Sequence, residues 1–213
     1  MKETLNITNG DVFNHFLLSK RGGEAVPFRE VMMDGETATE IFSDDFVRLR
    51  ASVLKVSEEE YRANMVVPGV LNAKDYDELV LWFGKDTFCQ MNLLTLLAYL
   101  EQRDYRGRVT LHYIDDESFR PIKENIAVQL GGYYALYEAI LLRHEQPKDV
   151  KCLDFGGVSL YFDYRSDDGA LARMVRENAD KSPMALMGLL LCSSAAYGLS
   201  DIQAGKLIEK YRR

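Results

Sequence analysis

Residues 79–92 read LVLWFGKDTFCQMN: an apolar, strand-like run stops at Gly84, and a polar helix start, Asp86-Thr87-Phe88-Cys89-Gln90, follows at once. Branched and aromatic residues favour a pleated strand, and Asp is among the best residues for capping a helix. From residue 86 to 102 the side chains are apolar nearly all round, with Cys89, Leu93, Leu96, Leu97 and Leu100 on one side and Met91, Leu94 and Ala98 on another. A helix of that kind is buried between neighbours rather than half exposed. The stretch predicts a strand over 78–83 and a long buried helix over 86–102.

The same order of apolar run, glycine or acidic residue, then helix recurs along the first 130 residues. Leu5-Asn6-Ile7-Thr8 is β-compatible and ends at Asn9-Gly10, and 11–20 carries Val12, Phe13, Phe16 and Leu17 on one helical face. Gly22-Gly23 closes that helix. Residues 24–33 supply a short strand and its exit loop, ending at Asp34-Gly35. Residues 38–54 and 58–65 read as helices, the second with Ser57 as N-cap and Glu60 as its box partner. Residues 108–114 form another strand, ending at Asp115-Asp116, while 65–75 and 120–129 carry no clear period. Four strands alternating with helices imply right-handed crossovers and an open, mainly parallel, Rossmann-like α/β sheet.

From Gly131 onward the pattern is helical, over 133–144, 157–164, 169–179, 183–195 and 200–211. Pro183 after Ser182 is a good helix start, and Ser200 with Gln203 forms a capping box. The expected organisation is an α/β domain over 1–130 and a small all-helical domain over 131–213.

Composition narrows the function classes. The longest apolar runs, such as 186–192, fall far short of the roughly 20 residues that cross a bilayer, so no membrane span is expected. Met1-Lys2-Glu3 runs directly into polar Asn6, Thr8 and Asn9, which is no signal-peptide core. Cys89, Cys152 and Cys192 are odd in number and form no CxxC pair, the pattern of reduced thiols in a cytoplasmic protein. A net charge of −7 repels a phosphate backbone, and the only basic clusters, Lys20-Arg21 and Lys210-Tyr211-Arg212-Arg213, are short. Nucleic acid is therefore disfavoured, and a small molecule or another protein is the expected partner.

In open parallel sheets, ligands bind outside the carboxyl ends of the strands, where helix N-termini present backbone N–H groups. That edge should carry Asn9-Gly10-Asp11, Asp34-Gly35, Gly84-Lys85-Asp86 and Asp115-Asp116. Gln90 shares a helical face with Asp86, and Trp82, two residues before Gly84, should wall the same crevice. Carboxylates so placed can hold a hard divalent cation such as Mg²⁺, through which an acidic pocket accepts a phosphate. The competing structural reading is that Asp11, Asp86 and Asp116 are helix caps. Cys89, in the first turn of its helix, can have a lowered thiol pKa or serve as a buried packing group. His15, His112 and His144 have no metal spacing, and no GxSxG, P-loop or GxGxxG context is present. Tyr133, Tyr134 and Tyr137 read as packing, and 198–211 is too acidic and neutral for a DNA-reading helix.

Three blocks resemble a bacterial family called domain of unknown function 1835: ITNGD at 7–11, MDG at 33–35, and LWFGKDTFCQMNLLTLLAYL at 81–100. The matching positions are Gly10-Asp11, Asp34-Gly35, Trp82-Phe83, Asp86, Gln90 and Leu93-Leu94, with Arg50 as a further arginine. The helical half resembles that family's C-terminal companion through Gly198-Leu199-Ser200 and Gln203. Cys89 departs from the pattern, standing where the family has an aspartate, which weighs against a site built on metal alone. The resemblance implies no reaction.

Two functions follow as expectations. In the first, the chain binds a nucleotide or sugar phosphate at the strand ends through Asn9, Gly10, Asp11, Asp34, Gly35, Arg50, Trp82, Asp86 and Gln90, with Mg²⁺-assisted phosphoryl or nucleotidyl chemistry as the reaction if it is an enzyme. In the second, it is a non-catalytic regulatory or interaction module that docks through its helical half.

Overall fold

A computed structural model describes residues 2–148 and 156–212, so Cys152 and the terminal Arg213 lie outside the described residues. β1 (Lys2–Asn9), α1 (Asp11–Arg21) and β2 (Ala25–Phe28) form the first parallel crossover. A loop and three helices, α2 (Asp44–Leu54), α3 (Glu58–Met65) and the single turn α4 (Pro68–Leu71), lead to β3 (Tyr76–Phe83). α5 (Thr87–Gln102) connects β3 to β4 (Arg108–Ile114), and β5 (Pro121–Val128) returns antiparallel to β4. Helical structure follows: α6 (Tyr133–Tyr137), continuing as a π turn over Glu138–Leu142, then α7 (Gly157–Arg165), α8 (Ala170–Glu177), α9 (Pro183–Ser193) and α10 (Asp201–Tyr211).

The sheet order is β2-β1-β3-β4-β5, with β1, β2, β3 and β4 parallel. This is the α/β, Rossmann-like sheet with a helical C-terminal region that the strand–helix alternation predicts. The fifth strand is the departure from the expected four. Its residues are mostly exposed, and an edge strand wet on both faces has no alternation to betray it. Lys123 and Glu124 put charge on that edge, which discourages pairing with another chain. The helix expected over 38–54 begins only at Asp44, because the Ser43 side chain accepts the Phe46 N–H and stops the helix there.

Because β1→β2 runs one way across the sheet and β2→β3→β4 the other, right-handed crossovers place α1 on one face and α5 on the opposite one. The strands alternate accordingly. Leu5, Ile7, Leu79, Leu81, Phe83, Leu111 and Tyr113 join the main core with α5, whereas Trp82 and Ile114 join Phe13 and Leu17 of α1. α5 is buried from Cys89 through Leu100, as its all-round apolar character requires. Its far side is covered by Tyr137, Val158 and Tyr161 from the helical half, which belong to the same apolar cluster. The Glu101 carboxylate accepts the N–H groups of Gly131, Tyr133 and Tyr134, tying the end of α5 to the start of α6. Among the described residues no helix is long and apolar enough to cross a membrane.

Candidate functional site

The strand order reverses at β1, so the carboxyl ends of β1 and β3 flank the crevice in which doubly wound sheets bind ligands. Asn9 and Gly10 leave β1 there. The Asn9 amide donates to Cys89 Sγ at 2.9 Å and accepts from Asn92 Nδ2 at 2.9 Å. Gly10 takes φ +83°, and the space beside its α-carbon is open, so the backbone itself is presented to the crevice.

Asp86 caps α5, its carboxylate accepting the Cys89 N–H at 2.8 Å. The other N–H groups of that first turn are also taken: Thr87 donates to the Ala196 carbonyl at 3.0 Å, Phe88 to the Tyr197 carbonyl at 3.1 Å, and Gln90 to Asp86 O at 3.0 Å. The start of α5 therefore has no free amide to give a phosphate. The loop before α10 occupies that position, and its Gly198 lies directly against the Asp86 carboxylate.

Asp116, in the turn after β4, turns its carboxylate inward against the Gly84 α-carbon, where any β-carbon would overlap it. The residue as a whole is exposed, but the carboxylate end is shielded. Shielding and the neighbouring Asp86 charge push its pKa up to about 7, opposed in part by Lys85. Asp116 starts no helix, so the cap reading fails there; nor does Asp11 cap α1, a place held by Gly10. Oxygens of Asp86 and Asp116 and the Cys89 sulfur all lie within 4.8 Å of one another. Burial, Asp86 and Asp116 together raise the Cys89 thiol well above its usual range, so the first-turn position does not activate it.

The remaining predicted residues serve elsewhere. Asp11 pairs with Arg29 at 2.7 Å on a partly exposed surface. Trp82 lies within the α1 face of the sheet, stacked on His112 with ring centroids 4.1 Å apart, its indole N–H donating to Asn6 Oδ1 at 3.0 Å. It does not wall the crevice, because β3 alternates and position 82 points to the face opposite Phe83. Gln90 is fully buried; its amide donates to the Gly84 carbonyl at 3.1 Å, Gly157 packs on its stem, and its Oε1 meets no donor among the described residues.

Arg50 is a structural hub. It is fully buried, pairs with Glu30 at 3.2 Å, and donates to the carbonyls of Val31, Asp34 and Glu36, holding the loop after β2. The Asp34 side chain accepts from Tyr164 Oη at 2.8 Å, Gln203 Nε2 at 3.0 Å and Lys206 Nζ at 2.8 Å. Gly35 takes φ +71°, and a β-carbon there would also run into Val53, so glycine is required on both counts. Of the predicted set, Asn9, Gly10 and Asp86 come together at the switch point. Asp116 and Cys89 complete that group, and the sequence signals both, at the end of the strand over 108–114 and in the first turn of the buried helix.

No protein-family model, curated protein or solved structure matches the chain, so the residues themselves carry the functional argument.

Proposed function

We propose that the chain binds a small phosphorylated molecule, of the nucleotide or sugar-phosphate type, in the crevice between the ends of β1 and β3, through a divalent cation held by Asp86 and Asp116. One observation carries this reading: two carboxylates from the ends of neighbouring strands meet, with a thiol, beside the point where the strand order reverses. The amides at the start of α5 are consumed and the local charge is negative, so a phosphate needs a cation to approach. Two carboxylates suit Mg²⁺, whereas Cys89 as a third ligand suits Zn²⁺. With such a cation the site would support phosphoryl or nucleotidyl transfer.

Thermal-shift titration with Mg²⁺, Mn²⁺ and Zn²⁺, each with and without nucleotides and sugar phosphates, tests the reading. A cation that binds the native state alone must raise the melting temperature, and the phosphorylated ligand should add to it only when the cation is present. Asp116→Asn should abolish both shifts and leave the fold intact. No shift with any cation would defeat the proposal.

A second reading, docking through the helical half, is favoured by α9. The helix is apolar on every side, yet only Leu186 and Leu190 are buried; Met184 is 85 % exposed, Ile202 at the start of α10 is 68 % exposed, and Leu191 and Cys192 are also open. Ala185, Gly188 and Cys192 also lie open along this helix, and the occupant this reading proposes is a second copy of the chain. Sedimentation equilibrium should then show a dimer that Met184→Asp converts to monomer; a wild-type monomer at all concentrations would sink it.

A further inference from the structure

A cavity of about 440 Å³ opens between the loop after β2 and helices α7 and α10. It belongs to none of the switch-point residues. Its floor is apolar, from Met33, Val53 and Leu207, and its rim carries Arg165, Lys206 and Lys210. Asp34 is the one acidic residue in the lining, so the lining keeps two positive charges in a chain whose net charge is −7. Lys206 and Lys210 stand one turn apart on α10, a like-charge spacing that costs a helix stability unless something negative lies between them.

The anions already present do not close the cavity. Asp34 accepts from Tyr164, Gln203 and Lys206, and the Lys206 ammonium, whose side chain is 45 % exposed, keeps further N–H donors that can meet a ligand without leaving the buried carboxylate. Lys210 is paired at 2.8 Å with Asp167, and Arg165 at 3.3 Å with Glu36; both carboxylates lie outside the lining, with side chains 75 % and 58 % exposed. Such solvent-screened pairs are weak, and a multiply charged ligand that meets three cations at once can displace them.

We propose that this cavity is a second binding site, independent of the switch-point crevice, for a small organic phosphomonoester. With the Asp167 and Glu36 pairs displaced, Lys206, Lys210 and Arg165 against Asp34 leave two positive charges that match a phosphate dianion. Arg165, which now gives Nη1 to the Gly35 carbonyl at 3.4 Å and Nη2 to Glu36 at 3.3 Å, turns that fork to the phosphate oxygens. The apolar floor and the Tyr211 ring accommodate the organic part, and the volume is that of a small-molecule pocket. This is a site that needs no metal, in contrast to the crevice.

The test is calorimetric titration of the whole chain with phenyl phosphate, phenol and inorganic phosphate, in the presence of a chelator. Phenyl phosphate should saturate one site and bind at least tenfold more tightly than inorganic phosphate, and phenol should not bind. Lys210→Gln and Arg165→Gln should each weaken phenyl phosphate by tenfold or more, and Asp116→Asn should leave it unchanged. Lys210 is largely exposed, so its variant keeps the test valid even if Arg165→Gln misfolds. The proposal is overturned by the absence of saturable binding, by phenol binding as well as phenyl phosphate, or by Lys210→Gln having no effect.

Discussion

Gly198, on the loop before α10, lies against the carboxylate of Asp86 so closely that a β-carbon there would overlap Oδ1. With the Ala196 and Tyr197 carbonyls accepting from Thr87 and Phe88, this fixes the C-terminal loop onto the start of α5 and makes the helical half a wall of the strand-end crevice. Gly198 also sits at φ +68°, where any side chain is strained. Gly198→Ala should therefore cost about 2–3 kcal/mol, combining backbone strain with displacement of the Asp86 cap. Asp86 Oδ1 is both the oxygen that accepts the Cys89 N–H and the one a β-carbon at Gly198 would overlap. Asp86→Ala therefore removes the cap and the overlap together, and the double variant should lose less than the two single losses together. Urea unfolding of the four proteins measures this; strict additivity would mean that the two residues do not press on each other.

Asp116 makes stability depend on pH in the metal-free protein. Its folded pKa, pushed up to about 7, lies above the ordinary value of an unfolded aspartate. Between the two values the native state holds a proton that the unfolded state has released, so stability falls as pH rises from about 4 to about 7 and levels off above. Asp116→Asn should flatten that slope, equalling the wild type near pH 4 and exceeding it at pH 8. Urea midpoints across this range give the answer, and a wild-type curve that rises with pH over the same window would contradict it.

Thiol labelling separates the two described cysteines. Cys89 is 3 % exposed and its pKa is raised by burial and by Asp86 and Asp116, whereas Cys192 is exposed on α9. Native protein treated with iodoacetamide near pH 8 should carry label on Cys192 within minutes. Cys89 should react only when denaturant opens the core, because alkylation needs both access and thiolate. Peptide mass spectrometry reads the two sites apart, and early labelling of Cys89 would mean that the crevice opens in the native state.

The elements visible in the sequence are those whose burial is one-sided or complete. β3 and α5 declare themselves because their apolar residues follow the strand alternation and the all-round burial of the structure. β5 does not, since an exposed edge strand has no pattern to read. The strand ends were located correctly at Asn9, Gly10 and Asp86, because the parallel order brings them to one edge. Asp34 and Arg50 carry the same polar signature but are spent on folding: each is buried and bonded across more than one element, while Gln90 is buried with its amide on the Gly84 carbonyl. Which polar residue faces the crevice and which faces protein depends on contacts over about 160 residues of sequence, as between Asp34 and Gln203, and no local pattern encodes those.

Asp34 should behave as an ionic fastener between the loop after β2 and the C-terminal helices. Its side chain is 7 % exposed. Burial alone would raise its pKa, but hydrogen bonds from Lys206, Gln203 and Tyr164 outweigh that and hold it below the usual carboxylate range. A depressed native pKa gives stability that is fully present above the unfolded value, near 4, and is lost as pH falls through the native value. Asp34→Asn leaves Lys206 without its anion and puts a donor where an acceptor is required, which should cost about 2–4 kcal/mol at pH 7. The deficit should shrink steadily below pH 4, as protonation takes the same charge from the wild type. Denaturant midpoints for both proteins between pH 7 and pH 2.5 decide the point: a deficit that stays constant across that range would show that Asp34 holds the loop by shape rather than by charge.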